Sequence, residues 1–439
     1  MQSQITQFSQ PALPPSFLFN HASLLLFALL VSLLISNTGC RSTYPQPPIK
    51  VHTVVSSNDD NRLDSLRGVI NQANQSAGDD VINFDLPPEA TRISLTAPLP
   101  PIRSGITING LNKAGGRIEL DGTKAGDGAA GLKIIGTRNV IKNVVIHSFS
   151  GYGILLAKES ASSGNNGLVP VTRRTMKSAE GLQRFPWENQ LVGNFIGTDV
   201  SGTKNLHNQK GGIFVDQNAT NVLIKDNCIA FNKGNGVSLP DGPNPPIGIF
   251  IHDNLIYRNS GLAIDLGNDG RTPNDAHVGD PSGPNHWQPF PELRLIKTVR
   301  GNTRQKRNQL FAAPSPATTL VTLQINLPRT DPHSEYTIVF YSCSCPLSCP
   351  DCTTACPGCM ALCPNGANIC QAHSQSPLPT ITCRPVKVDM PPVIHQGQQG
   401  GLSFMQVVPL PPGFSGVIYA KASCDNFDTA ELSDCVVIP

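Results

Sequence analysis

Charge is scarce in this chain. Asp, Glu, Lys and Arg make up 15% of 439 residues and leave a formal net charge of +2, so no global field points to nucleic acid or to an acidic surface. Cysteine is nearly lacking from the first 340 residues, where only Cys40 and Cys228 occur, whereas 11 of the 13 crowd beyond. Such crowding in a reducing compartment would normally mean metal, and in an exported chain it means disulfides. Disorder is excluded by a hydrophobic content of 39%, and the length allows two domains with a sizeable core. Gly and Pro, at 39 each, fit many short strands joined by tight turns better than helices, so the expected class is all-β. The basic residues Arg294, Lys297, Arg300, Arg304, Lys306 and Arg307 read as a solvated linker, with an anionic-surface contact as the alternative.

The apolar run Leu24–Ile35 suits a signal-peptide core better than a bilayer span, which implies export. It ends at Ser36-Asn-Thr-Gly-Cys40, where small residues before a cysteine resemble a lipoprotein lipobox with Cys40 as the lipidated residue. Asn37 stands where that motif prefers Leu, and no Lys or Arg precedes the run, so a plain secretory signal or an uncleaved anchor stays open. Residues 1–40 are thus signal, 41–50 spacer, 51–293 a repeat domain and 294–439 a second domain.

Between residues 213 and 267 one pattern returns at an interval of about 25 residues. Ile224 falls on Ile251, Asn227 on Asn254, Ile229 on Ile256, Asn232 on Asn259, Gly234 on Gly261 and Val237 on Ile264. A short β-segment cannot bury its apolar face alone, so identical units must stack into a continuous core. Cys228 falls on Leu255 and reads as a packed thiol. Asn194, Asn227 and Asn254 share one place in the repeat. There Asn both tolerates a left-handed bend and bonds its stacked counterpart about 4.8 Å away, a scaffold role. Arg62–Asn74 places Leu63, Leu66, Ile70 and Ala73 on one helical face, a short helix covering the end of the stack. Earlier strands are expected at 51–55, 80–84, 91–95, 105–109, 116–120, 132–135, 139–146 and 153–156. Residues 157–187 interrupt the period as a polar insertion.

Ser65-Leu-Arg-Gly-Val-Ile-Asn-Gln-Ala-Asn74 resembles the signature of exported bacterial right-handed parallel β-helix proteins of the Cys-Ser-Leu-Arg-Glu-Ala type, with Asp64 for its Cys and Gly68 for its Glu. Ile196–Thr203, Gly261–Asp275 and the closing Thr429-Ala-Glu-Leu-Ser433 are similar to phrases of the same family. The resemblance covers about residues 51 to 293 and, more loosely, the tail. It implies a solenoid of pectin-lyase-like fold with roughly seven to nine coils and a capping helix, exported to the outer membrane, cell surface or extracellular space. A Cys-rich β-sandwich follows, with strands expected at 320–327, 336–341, 403–408 and 416–422. No activity is implied, because fold alone does not fix function.

Within that second domain, Cys343, Cys345, Cys349, Cys352, Cys356, Cys359, Cys363, Cys370 and Cys383 form a dense insertion, joined later by Cys424 and Cys435. A zinc ribbon needs roughly 12 to 20 residues between its cysteine pairs. Here Cys352 and Cys356 are separated by only three residues, which favours a disulfide-stapled loop over a thiolate metal cluster. Cys424 and Cys435 are candidates to pair with each other.

For catalysis, the Asn-Thr-Asp, Gly-His-Gly and Arg-Ile-Lys phrases of polygalacturonase-like hydrolases are absent, and Asp-Asp occurs only at residues 59 and 79, ahead of the repeats. The Asp331-Pro-His333 of alginate epimerases falls in the second domain. What remains is an outward column of Lys142, Lys225 and His252, with Asn143, Asp226 and Asp253 beside them. Asp226, Asp253, His252 and Lys225 are candidates for acid and base work; Lys142, Asn143, Lys225 and His252 are candidates for binding. The polar face of a solenoid is the plainer reading. Asp265, Asp269 and Asp275 crowd a loop that suits Ca²⁺ or, more simply, a turn, and no other cofactor is implied. The expected role is structural, adhesive or polysaccharide-binding, with a surface glycan as partner, a lipid anchor as membrane contact and no nucleic acid. A polysaccharide lyase, hydrolase or epimerase working on the same flank is the competing class.

Overall fold

The computed structural model describes residues 49–157, 188–277, 280, 282–300, 318–344, 386–425 and 428–438, all within one compact unit running from Pro47 to Pro439. The apolar run, Cys40, the 158–187 insertion, Arg304, Lys306, Arg307, Cys345, Cys349, Cys352, Cys356, Cys359, Cys363, Cys370 and Cys383 lie outside the described residues.

The protein is mostly β, and up to Gly267 its strands form three parallel sheets. The first sets Lys50–Val54, Asp80–Phe84, Ile106–Asn112, Asn139–Lys142, Asn189–Val192, Thr220–Lys225 and Ile247–His252 side by side. The second holds Arg92–Ser94, Glu119–Asp121, Val145–His147, Phe195–Ile196, Cys228–Ala230 and Leu255–Tyr257; the third holds Leu132–Ile134, Tyr152–Leu156, Gly211–Val215, Val237–Pro240 and Ile264–Gly267. From Asn139 onward each pass of the chain gives one strand to each sheet in the same order. Register follows the repeat: Ile141, Leu191, Ile224 and Ile251 lie in one column, Ile229 opposes Ile256 and Val237 opposes Ile264. Ile141, Ile146 and Ile154, one from each sheet, share a single buried core. Each such side chain contributes roughly 1.5–3 kcal/mol on leaving water.

Bends between sheets fall at fixed places. Near the start of the first-sheet strand the backbone is left-handed at Arg138, just before it, and at Asn221 and Gly248, each the second residue of its strand; it is left-handed again in the residue after that strand at Asn143, Gly193, Asp226 and Asp253, and in the residue after the second-sheet strand at Ser148, Phe231 and Arg258. The expected continuous strand 139–146 is therefore two strands split at Asn143. The left-handed residue also precedes the recurring Asn of each repeat instead of coinciding with it. Asn194, Asn227 and Asn254 turn inward and form a buried ladder: Asn194 Nδ2 donates to Asn227 Oδ1 at 3.0 Å and Asn227 Nδ2 to Asn254 Oδ1 at 2.9 Å. Asn208, Asn232 and Asn259 make a second ladder, each step 2.9 Å.

The helix runs Leu66–Ala73, with Ser65 as its N-cap accepting from Gly68 N. Leu66, Val69, Ile70 and Ala73 are buried against the first strands. Leu63 is not on that face: it precedes the cap and is exposed.

Beyond Glu292 the strands are antiparallel. Glu292–Arg300, Thr319–Leu327 and Leu402–Leu410 form one sheet; Glu335–Ser344, Gly416–Cys424 and shorter strands form another. Arg294, Lys297 and Arg300 thus sit in a strand, not a linker. The second of these sheets is buried on both faces. Ile338, Phe340, Ile418 and Ala420 face the other antiparallel sheet, while Val339, Tyr341, Tyr419 and Leu432 join the core of the parallel sheets. Period-two alternation produces this division.

Candidate functional site

An exposed edge of a parallel sheet leaves unpaired N–H and C=O groups. Here the antiparallel sheet answers them residue by residue. Asp428 Oδ1 accepts from Gly248 N at 2.8 Å, Thr429 Oγ1 from Ile251 N at 3.0 Å and Glu431 Oε1 from Leu266 N at 3.2 Å. Asn285 takes both Ile249 N and Ile249 O, and Lys421 Nζ donates to Ile251 O. Thr429-Ala-Glu-Leu-Ser433 therefore closes the stack.

That closure reaches the outward column. Lys142, Val192, Lys225 and His252 follow one another in register, so Val192 separates the two lysines. Asn109 precedes Lys142 in the same column and donates to Asn83 at 3.4 Å. His252 stacks on Phe250 with ring centroids 5.2 Å apart, and its Nε2 lies 2.8 Å from Asp253 Oδ2. Lys387 from the antiparallel part donates to Asp253 Oδ1. Burial first, then the nearby Lys421, pushes His252 down to about 4, so it is neutral at physiological pH. Burial alone would raise Asp253, but the hydrogen bond and charge of Lys387 outweigh it and hold the carboxylate below its ordinary value.

Asp226 and Asp253 follow Lys225 and His252 on neighbouring levels. Both occupy the left-handed bend shared with Asn143 and Gly193, where Asp and Asn are the side-chain-bearing residues best tolerated. Lys225 approaches Asp226 at 3.7 Å, and Asp253 is committed to His252 and Lys387. Lys142 and Lys225 remain in the open part of the column.

Asp265, Asp269 and Asp275 do not converge. Among the described residues no three of His, Cys, Asp and Glu are placed to hold a metal ion. Asp265 is buried with Oδ2 accepting from Asn235 at 2.7 Å, whereas Asp269 and Asp275 are exposed. Burial raises Asp265, and Asp269 adds to the rise. Cys343 and Cys435 are in disulfides. The expected Cys424–Cys435 pairing does not form, because Cys424 is a buried thiol whose Sγ lies 3.3 Å from Gln288 Oε1. Cys228 is likewise a buried thiol, 3.4 Å from Tyr257 Oη.

A second cluster was not legible in the sequence. Arg92, Glu119, Asp121 and His147 come together on the second parallel sheet, where Asp121 opposes His147 and Arg92 opposes Glu119. Arg92 reaches Asp121 Oδ2 at 2.8 Å and Glu119 Oε1 at 3.4 Å. His147 is fully buried, with Nε2 2.7 Å from Glu119 Oε1 and Nδ1 2.9 Å from Ser148 Oγ. Leu206 closes over the bend, its carbonyl accepting from Ser148 N at 2.9 Å. Glu119 is held below the usual carboxylate range, chiefly by the His147 hydrogen bond. Burial works to raise Asp121, but Thr123 and Arg92 bring it below its ordinary value. Ser148 opens onto a cleft of about 550 Å³ lined also by Thr123, Lys124, Asp127, His207 and Gln209.

No family model matches this chain, and no curated protein matches it.

Proposed function

We propose that this chain is an exported or surface-anchored right-handed parallel β-helix that binds a polysaccharide along its first sheet. The rotation of strands through three sheets around one core supports the β-helix, and right-handed crossover is the rule for parallel strands. Export follows from the apolar run at Leu24–Ile35 and from the cysteine usage, with Cys40 as the lipid-anchoring residue.

The observation that carries the binding role is the in-register column Asn109, Lys142, Val192, Lys225 and His252. Adjacent strands are about 4.8 Å apart, so polar groups recur at a spacing comparable to one sugar ring of an extended glycan. Lys142 and Lys225 supply the charge for an acidic polysaccharide, and Asn143 and neutral His252 supply hydrogen bonds.

The test is retention of the full chain on immobilised polygalacturonate across a salt series. Retention is expected to weaken as salt rises. Lys142→Ala and Lys225→Ala should each cost roughly fivefold, the size of a screened surface contact of about 1 kcal/mol. Unchanged retention in the double variant overturns the reading, as does release of unsaturated or reducing ends, which would make the flank an enzyme.

A further inference from the structure

The outer face of the second sheet carries an arrangement that scaffolding does not call for. At the level of Val145–His147 the residues following Ile146 are His147 and Ser148; at the next three levels their places are taken by Gly197 and Thr198, Ala230 and Phe231, then Tyr257 and Arg258. At those levels the stack therefore builds the same bend without a histidine followed by a hydroxyl. Only here does a carboxylate meet a histidine that meets a hydroxyl among the described levels.

Hydrogen-bond polarity fixes the direction of the chain. An ionised carboxylate only accepts, so Glu119 takes the proton-bearing Nε2 of His147 at 2.7 Å. In the neutral imidazole Nδ1 is then the lone-pair nitrogen, 2.9 Å from Ser148 Oγ, from which it accepts, and 4.0 Å from Asp121 Oδ1. Arg92 lies 3.4 Å from the same Glu119 oxygen, Oε1, and burial of the imidazole keeps water from replacing the histidine contacts. The serine, by contrast, is half-buried and lines the open cleft. These are the relations of an activated serine nucleophile, recognised by geometry and roles rather than by order in the chain.

We propose that Ser148, His147 and Glu119 form a hydrolytic relay acting on small acyl esters of hydroxyl-rich alcohols in the cleft between residues 122–127 and 205–209. Ser148 Oγ bonds to the ester carbonyl carbon while its proton passes to His147 Nδ1. The ester C–O bond breaks and the departing alcohol takes that proton. Water then adds to the acyl-serine, giving one proton to Nδ1, and the carboxylic acid leaves as Ser148 Oγ recovers it. Ser148 and His147 are the catalytic residues; Glu119 is a positioning residue acting through His147. The substrate class follows from the lining: Thr123, Asp127, Gln209 and Asn205 suit hydroxyls, and Lys124 provides positive charge in the same cleft. This relay stands independently of the glycan column on the first sheet.

The experiment treats the full chain with a fluorophosphonate probe, maps the adduct by peptide mass, and follows hydrolysis of p-nitrophenyl acetate. Labelling is expected on Ser148. Ser148→Gly keeps the left-handed bend, since Ser148 has φ 60°, and should abolish labelling and lower hydrolysis by at least about 100-fold. His147→Gln should lower it comparably. Glu119→Gln should lower kcat about tenfold or more with KM unchanged, because a neutral amide no longer stabilises the imidazolium. Absence of an adduct on Ser148, or unchanged hydrolysis in a Ser148→Gly protein that melts like its parent, overturns the proposal.

Discussion

Asn227 donates from Nδ2 to Oδ1 of Asn254 at 2.9 Å and, through the same nitrogen, to Leu191 O at 2.8 Å, while its own Oδ1 accepts both Asn194 N and Asn194 Nδ2. All of these groups are buried. One side chain thus ties three levels of the stack together, which gives its removal an outsized cost.

Asn227→Leu keeps the volume but strands the Asn194 donors and the Leu191 carbonyl. A loss of about 3 kcal/mol is expected, from unsatisfied buried groups at roughly 1–3 kcal/mol each with partial relaxation. Urea denaturation with an unchanged m-value would show it, and a loss below about 1 kcal/mol would contradict the ladder's role.

Gly234 and Gly261 recur because of close backbone approach. A Cβ on Gly234 would meet Lys210 O at 1.9 Å, and one on Gly261 would meet Asn235 Oδ1 at 2.1 Å. Gly234→Ala is expected to cost about 1–3 kcal/mol by overpacking.

The junction between parallel and antiparallel parts buries two opposite ionisable groups. Burial raises Glu431 to about 8 and lowers Lys421 to about 7. Between its unfolded value near 4.5 and about 8, folded Glu431 keeps a proton that the unfolded chain has released, so stability falls as pH rises through that window. Between about 7 and 10.5 the unfolded chain holds a proton that folded Lys421 has lost, so stability rises with pH there. A trough near pH 7–8 is the expected result of these two values in thermal melts taken across the range. Glu431→Gln should flatten its acidic side and Lys421→Met its alkaline side.

Thiol accounting checks the cysteine assignments. Alkylation without reductant should modify Cys228 and Cys424 only after denaturation, because both are buried, and should leave Cys343 and Cys435 untouched. Rapid modification of Cys424 in the native protein would refute its packing beside Gln288.

The sequence by itself determined the parallel stacking, its register and the asparagine ladder. A repeat specifies contacts between like positions on neighbouring levels, so Ile224 meets Ile251 and Asn227 meets Asn254 wherever the strands pair. It also marked the column of Lys142, Lys225 and His252, although not Val192 within it. Tertiary structure alone decided what lies at the end of that column and on the neighbouring sheet. Lys387 reaches Asp253 and Thr429 reaches Ile251 across more than a hundred residues, through a chain reversal that no repeat encodes. Glu119 and His147 lie 28 residues apart in levels without matching motifs, and they meet because backbone pairing places Val145 opposite Glu119. Periodicity fixes nearest-neighbour contacts; side chains that differ from level to level acquire their chemistry only when the fold decides who stands next to them.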